Sequence, residues 1–150
     1  MLVALWEEYK KSSEEYTAVL DTISQIEFER IVDRNSPRLE SIKAITFHTV
    51  EAWYNYANYV NSISGKEWCE YGELIDTPVK AISEIRKMLA FTDEMFAGIL
   101  EMSNEEIEQW KFETKWGVTY DFEQLMEHAI VHILRHRRQI SNFLTVKWCR

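Results

Sequence analysis

Between residues 37 and 63 the side chains of Leu39, Ile42, Ile45, Thr49, Ala52, Trp53, Tyr56, Val60 and Ile63 recur at intervals of three and four. That spacing repeats once per helical turn and gathers all of them on one face of an α-helix, a face that has to be buried against other elements. The same period runs through residues 2 to about 31 in Leu2, Trp6, Tyr9, Tyr16, Val19, Leu20, Ile23 and Ile26. It returns in Val79, Ile82, Ile85, Leu89, Phe96 and Ile99, which carry a third helix to about residue 100. A last stretch starts near Thr119 to Asp121 and runs to about residue 144. With only four glycines and two prolines, the chain is too poor in turn-formers for a many-stranded sheet. The pattern predicts an all-α four-helix bundle, a single domain over residues 1–150.

Local punctuation sharpens these boundaries. Ser36-Pro37 and Thr77-Pro78 each put an N-cap side chain before a proline at the first helical position, which predicts helix starts there. Residues 64–77 lose the period and contain Gly65 and Gly72, so they read as a long crossover between the second and third helices. A crossover of that length releases the bundle from a simple up-down-up-down order. Ser103 and Glu106 have capping-box spacing and predict a helical turn or two before Trp110, while residues 111–118 read as irregular. Arg135, Arg137, Arg138 and Lys147 crowd toward the end of the last helix, where cations complement the helix dipole.

Charge and cysteine usage narrow the class of partner. A net charge of -8, from 25 acids against 17 bases, argues against nucleic acid or an anionic membrane surface. Cys69 and Cys149 lie far apart and form no C-x-x-C pair, which indicates neither a disulfide framework nor a cysteine zinc site and suits a reducing, cytoplasmic location. The apolar run over residues 1–6 is too short for a signal peptide or a membrane span.

Three of the four histidines, His128, His132 and His136, stand four residues apart on the last predicted helix. Four-residue spacing puts side chains one turn apart on one face, so neighbouring imidazoles can converge on a cation. At about 100 degrees per residue, His136 falls inside the apolar arc set by Phe122, Leu125, Ala129, Ile133, Ile140 and Phe143. His132 sits at its edge and His128 outside it, toward a rim. The fourth, His48, lies on the flank of the second helix and can meet His132 and His136 if those two helices are neighbours. Three protein ligands and an open position is the pattern of a reactive metal site, because structural zinc sites fill all four positions from protein. Trp53 and Tyr56, one and two turns beyond His48, are candidates to line a substrate pocket. Glu51 and Glu127 read as solvated-face residues, and no general base can be assigned.

The run His128-x3-His132-x3-His136-Arg137-x-Gln139, together with His48 in a helix preceded by a Ser-Ile turn at Ser41-Ile42, resembles the DinB-like (damage-inducible) superfamily. The resemblance spans essentially the whole chain. It implies a four-helix bundle of up-down-down-up topology, with His48, His132 and His136 as ligands of a nickel, zinc or similar divalent ion and with His128 and Gln139 as supporting or rim residues. Many relatives carry glycine where Arg138 stands. Members of that superfamily include thiol-dependent transferases and isomerases, so the resemblance also implies a low-molecular-weight thiol as co-substrate.

The expected function is therefore a metal-dependent enzyme of the thiol-transferase or hydrolase type acting on a small molecule. Two alternatives stand beside it: a non-catalytic metal- or ligand-binding stress-response module, and a metal-free helical protein whose aromatic-rich faces bury a second copy. A homodimer is compatible with all three, and the sequence does not show which face would pair.

Overall fold

A computed structural model describes residues 1–146 of the chain, so Lys147 and Cys149 lie outside the described residues. Four long helices make the bundle: α1 (Leu2–Leu20), α3 (Ile42–Ile63), α4 (Pro78–Ile99) and α6 (Phe122–Thr145). Two short helices, α2 (Gln25–Glu29) and α5 (Asn104–Glu108), and a small hairpin of β1 (Phe112–Glu113) and β2 (Thr119–Tyr120) fill the connections. Helix α1 packs on α4 and α6, and α3 packs on the same two, so each long helix has two long neighbours around a common core. This is the all-α bundle that the apolar period predicts, and no helix among the described residues is long and apolar enough to cross a membrane.

The core is aromatic. Trp53 is fully buried at the centre, with the rings of Tyr16 and Tyr9 at 5.6 and 6.2 Å, and Trp6 stacks on Phe96 at 4.8 Å. Large rings of this kind bury much apolar area at little rotamer cost, which is how a bundle of modest length gains a well-specified interior.

The crossover over residues 64–77 links α3 to the adjacent α4. A helix of 22 residues spans about 33 Å, and an extended segment of this size is long enough to run that distance. Its course is fixed by side chains. The Asn58 amide holds both backbone groups of Cys69, donating to its carbonyl at 2.8 Å and accepting from its N–H at 3.0 Å. Tyr71 stacks on Tyr54 and donates to the buried carboxylate of Glu84, which Lys80 and Lys87 neutralise at 3.0 and 2.8 Å.

Three boundaries differ from the sequence expectation, each for a local reason. The first helix stops at Leu20 and does not continue to residue 31, because Ser24 and Glu27 form a reciprocal capping box that starts α2 on a new axis. The second long helix starts at Ile42, not at Pro37. Ser41 is its cap, its hydroxyl accepting from the N–H of Ala44 at 3.1 Å, while residues 32–40 are drawn into a loop closed by the Val32 N–H on the Glu40 carbonyl at 2.7 Å. Residues 111–118 are not wholly irregular: Phe112 pairs with Tyr120 and Glu113 with Thr119, and Gly117 takes the left-handed conformation (φ +82) that the turn needs. The Thr77-Pro78 start, the Ser103 capping box and the Asp121 start of α6 stand as expected.

The arginines of α6 also need a different account. The helix runs to Thr145 and its last turn carries no basic residue, so Arg135, Arg137 and Arg138 sit too far from the end for the dipole to explain them.

Candidate metal centre

Helix α6 brings His132 and His136 to the seam with α3, where His48 faces them. Ring centroids are 4.4 Å apart for His132 and His136, 5.0 Å for His48 and His136, and 5.2 Å for His48 and His132. One nitrogen from each ring lies within 4.8 Å of the other two, a spacing that could hold a metal ion. The Nε2 atoms of His132 and His136 are 3.2 Å apart. Two nitrogens bound to one ion at about 2.1 Å are roughly 3.0 to 3.4 Å apart in octahedral or tetrahedral geometry, so this edge already has the required length.

His136 is the most tightly held of the three. Its Nδ1–H donates to Oε1 of Gln139, one turn on, at 2.9 Å. That bond fixes the tautomer, since an amide oxygen only accepts, and leaves the Nε2 lone pair directed at His132. Two facing lone pairs at 3.2 Å repel unless a proton or a cation lies between them. The Nδ1 atoms of His48 and His132 are buried with no hydrogen-bond partner among the described residues.

Burial decides the protonation state. It lowers His48 to about 4 and His132 to about 3, helped in both by the neighbouring His136 and by Arg135. It also lowers His136 and His128. At neutral pH the rings are uncharged and their lone pairs are available, the form in which imidazole binds a metal. Neutral nitrogens converging from two helices fit a divalent ion of the kind that accepts imidazole.

A cleft of about 360 Å³ opens onto the group and is lined by His48, His132, Tyr56, Trp116 and the rim residue His128, with Arg38 and Glu51 at its edge. His128 does not join the other three. It stacks on Trp116 (centroids 5.9 Å, 26° between planes), and its Nδ1 lies 3.5 Å from the Tyr120 hydroxyl. A larger cleft of about 630 Å³ also touches His48 but reaches no other histidine, so the smaller cleft is the one that borders two of the three. Trp53, expected as a pocket residue, is wholly in the core and lines neither cleft, because its position turns it toward Tyr9 and Tyr16 and away from His48. Tyr56 does line the cleft. Glu51 accepts from the exposed Arg38 at 3.0 Å, an ion pair among the residues that line the cleft.

The sequence reading missed Trp116, Tyr120 and Arg38. Trp116 precedes Gly117 in the stretch read as irregular, and an aromatic beside a turn glycine was the available signal. For Arg38 there was none, because its place depends on the loop before α3.

Fold and site together define a helical bundle with a three-histidine group on the seam between two of its long helices, of a kind that fits metal binding. Residues 1–145 match the family model of the DinB family, and the chain belongs to that family. No match emerges among curated proteins.

Proposed function

We propose that the protein is a divalent-metal-dependent enzyme in which His48, His132 and His136 hold a zinc or nickel ion and the cleft beside them admits a small-molecule substrate. The observation that carries this reading is the pair of neutral imidazoles whose Nε2 atoms face each other at 3.2 Å, one of them locked in its tautomer by Gln139, with a third ring within reach. The chemistry such an ion supplies is Lewis acidity toward a thiol or a water at the coordination position that the protein leaves open. The reaction class is thiol transfer, with a low-molecular-weight thiol as co-substrate, or hydrolysis.

The chain's own residues perform the remaining tasks. Gln139 orients His136. Tyr56 closes the inner wall, its ring 5.9 Å from that of His132. Trp116 and His128 form a flat aromatic flank against which an apolar part of a substrate can lie. Arg38, paired with Glu51, sets a polar edge that helps orient a polar group.

Elemental analysis of protein purified without a histidine tag or a nickel column tests the reading directly. About one equivalent of a transition metal per chain is expected, falling to background in His132→Ala. Metal at background in the wild-type protein, also after incubation with zinc or nickel and desalting, overturns it.

A further inference from the structure

The three arginines of α6 that the helix dipole does not explain form part of a pattern on the outward face of that helix. Two shallow grooves meet there. One, of about 470 Å³, lies between α1 and the first half of α6 and is rimmed by Glu8, Glu123 and Glu127. The other, of about 480 Å³, lies along the second half of α6 and is rimmed by Arg135, Arg137 and Arg138. Val131 lines both and is 60% exposed. Partly exposed Leu5 and Ile130 extend the apolar floor on the acidic side, and Leu134 on the basic side. Apart from Arg137, which binds Glu15 at 3.2 Å, none of these six charged side chains makes an ion pair among the described residues.

We propose that this face binds a second copy of the chain, the two α6 helices crossing antiparallel about a two-fold axis at Val131. The argument is charge complementarity about a centre. In an antiparallel two-fold pairing, the residue n positions after the centre faces the residue n positions before it on the partner. Glu127 and Arg135 are each four residues from Val131, about 6 Å along the helix in opposite directions. Each Glu127 therefore meets an Arg135 of the other copy, so the pair forms twice in the dimer. Arg138, seven residues after the centre, comes level with Gln124, the neighbour of Glu123, so the acidic groove of one copy lies over the basic groove of the other. The exposed Val131 side chains close on each other at the centre. A parallel arrangement would set acid on acid and base on base. The cleft that holds His48 and His132 shares none of these residues, so pairing leaves it open.

Sedimentation velocity on the full chain tests the proposal, with circular dichroism to show that each variant is folded. The wild-type protein is expected to dimerise in the micromolar range. Glu127→Arg and Arg135→Glu, each of which converts two attractive contacts per dimer into repulsive ones, are expected to weaken dimerisation on the order of tenfold or more. An equimolar mixture of the two single variants is expected to restore the dimer as a heterodimer, because one then carries two bases and the other two acids at the facing positions. The double variant in one chain is expected to dimerise as the wild type does. A monomer up to several hundred micromolar, which would leave this face to an unlike partner, overturns the proposal. So does a dimer indifferent to both reversals, or a mixture that stays monomeric.

Discussion

Helix α3 carries two polar clusters, one shared with α1 and one with α6, and they differ in one respect. On the side toward α1, the Tyr16 hydroxyl donates to Thr49 Oγ1 at 3.2 Å and lies 3.5 Å from Thr46 Oγ1, while Thr49 donates to the Ile45 carbonyl at 2.7 Å. On the side toward α6, His48 meets His132 and His136. Burial acts alike on both: it favours the neutral form, pushing Tyr16 up to about 12 and His132 down to about 3. A neutral phenol keeps its donor, and that donor is used. A neutral imidazole keeps a lone pair, and here the bare Nε2 of His136 is aimed at Nε2 of His132, while the Nδ1 atoms of His48 and His132 have no partner among the described residues. The first cluster uses its hydroxyl donors within the protein and serves the fold, whereas the second leaves ring nitrogens without a partner and could hold an ion.

The largest effect that separates the clusters is loss of a ligand. His136→Ala or His132→Ala is expected to cut metal affinity by more than the roughly 10- to 100-fold that loss of an orienting neighbour costs, read by competition with a chelating dye. Next in size comes Gln139→Leu, which leaves all three imidazoles in place but frees His136 to rotate and change tautomer. A loss within that 10- to 100-fold window is expected; no change would show that packing alone orients the ring. His128→Ala, which touches only the aromatic rim, is expected to change affinity by less than Gln139→Leu, and an equal loss would put His128 among the ligands.

The two clusters were also unequally legible in the sequence. His132 and His136 share a helix, so their common face follows from four-residue spacing alone. That His48 reaches them depends on which helices are neighbours, a long-range fact that no local pattern contains and that the family resemblance had to provide. The long helices were readable because their period persists for five or more turns. The break after Leu20 was not, since Ile23 and Ile26 continue the period across it and only the Ser24–Glu27 box contradicts them. The start at Ser41 lost to a proline four residues earlier whose local signal was equally good. The hairpin under Trp116 has strands of two residues each, too short to show alternation, and its turn is held by Thr114, which both accepts from and donates to Val118.

A smaller effect comes from pH. In metal-free protein His48 and His132 titrate near 4 and 3, against 6.5 for the unfolded chain. Between those values the unfolded state binds more protons than the folded one, so stability is full above about 6.5 and declines as pH falls toward 4 and then 3. Chemical denaturation of metal-free protein is expected to show this decline, and His132→Gln to flatten it over that window. Tyr16 titrates far above the window, so its cluster contributes nothing to the slope. An unchanged slope in His132→Gln would mean that the ring is not held neutral by burial.

The smallest effect belongs to the Tyr16 cluster. Tyr16→Phe keeps the ring packed against Trp53 at 5.6 Å and removes only the hydroxyl that serves Thr49. A buried hydrogen bond of this kind contributes about 1 kcal/mol, so the denaturation midpoint should fall slightly with the slope of the transition unchanged. Metal affinity should stay at the wild-type value, because Thr49 is held independently by the Ile45 carbonyl and α3 keeps its axis. If Tyr16→Phe lowered metal affinity as far as Gln139→Leu does, the two clusters on α3 would be one coupled unit, and satisfaction of hydrogen bonds would no longer separate a group that serves the fold from one that waits for a ligand.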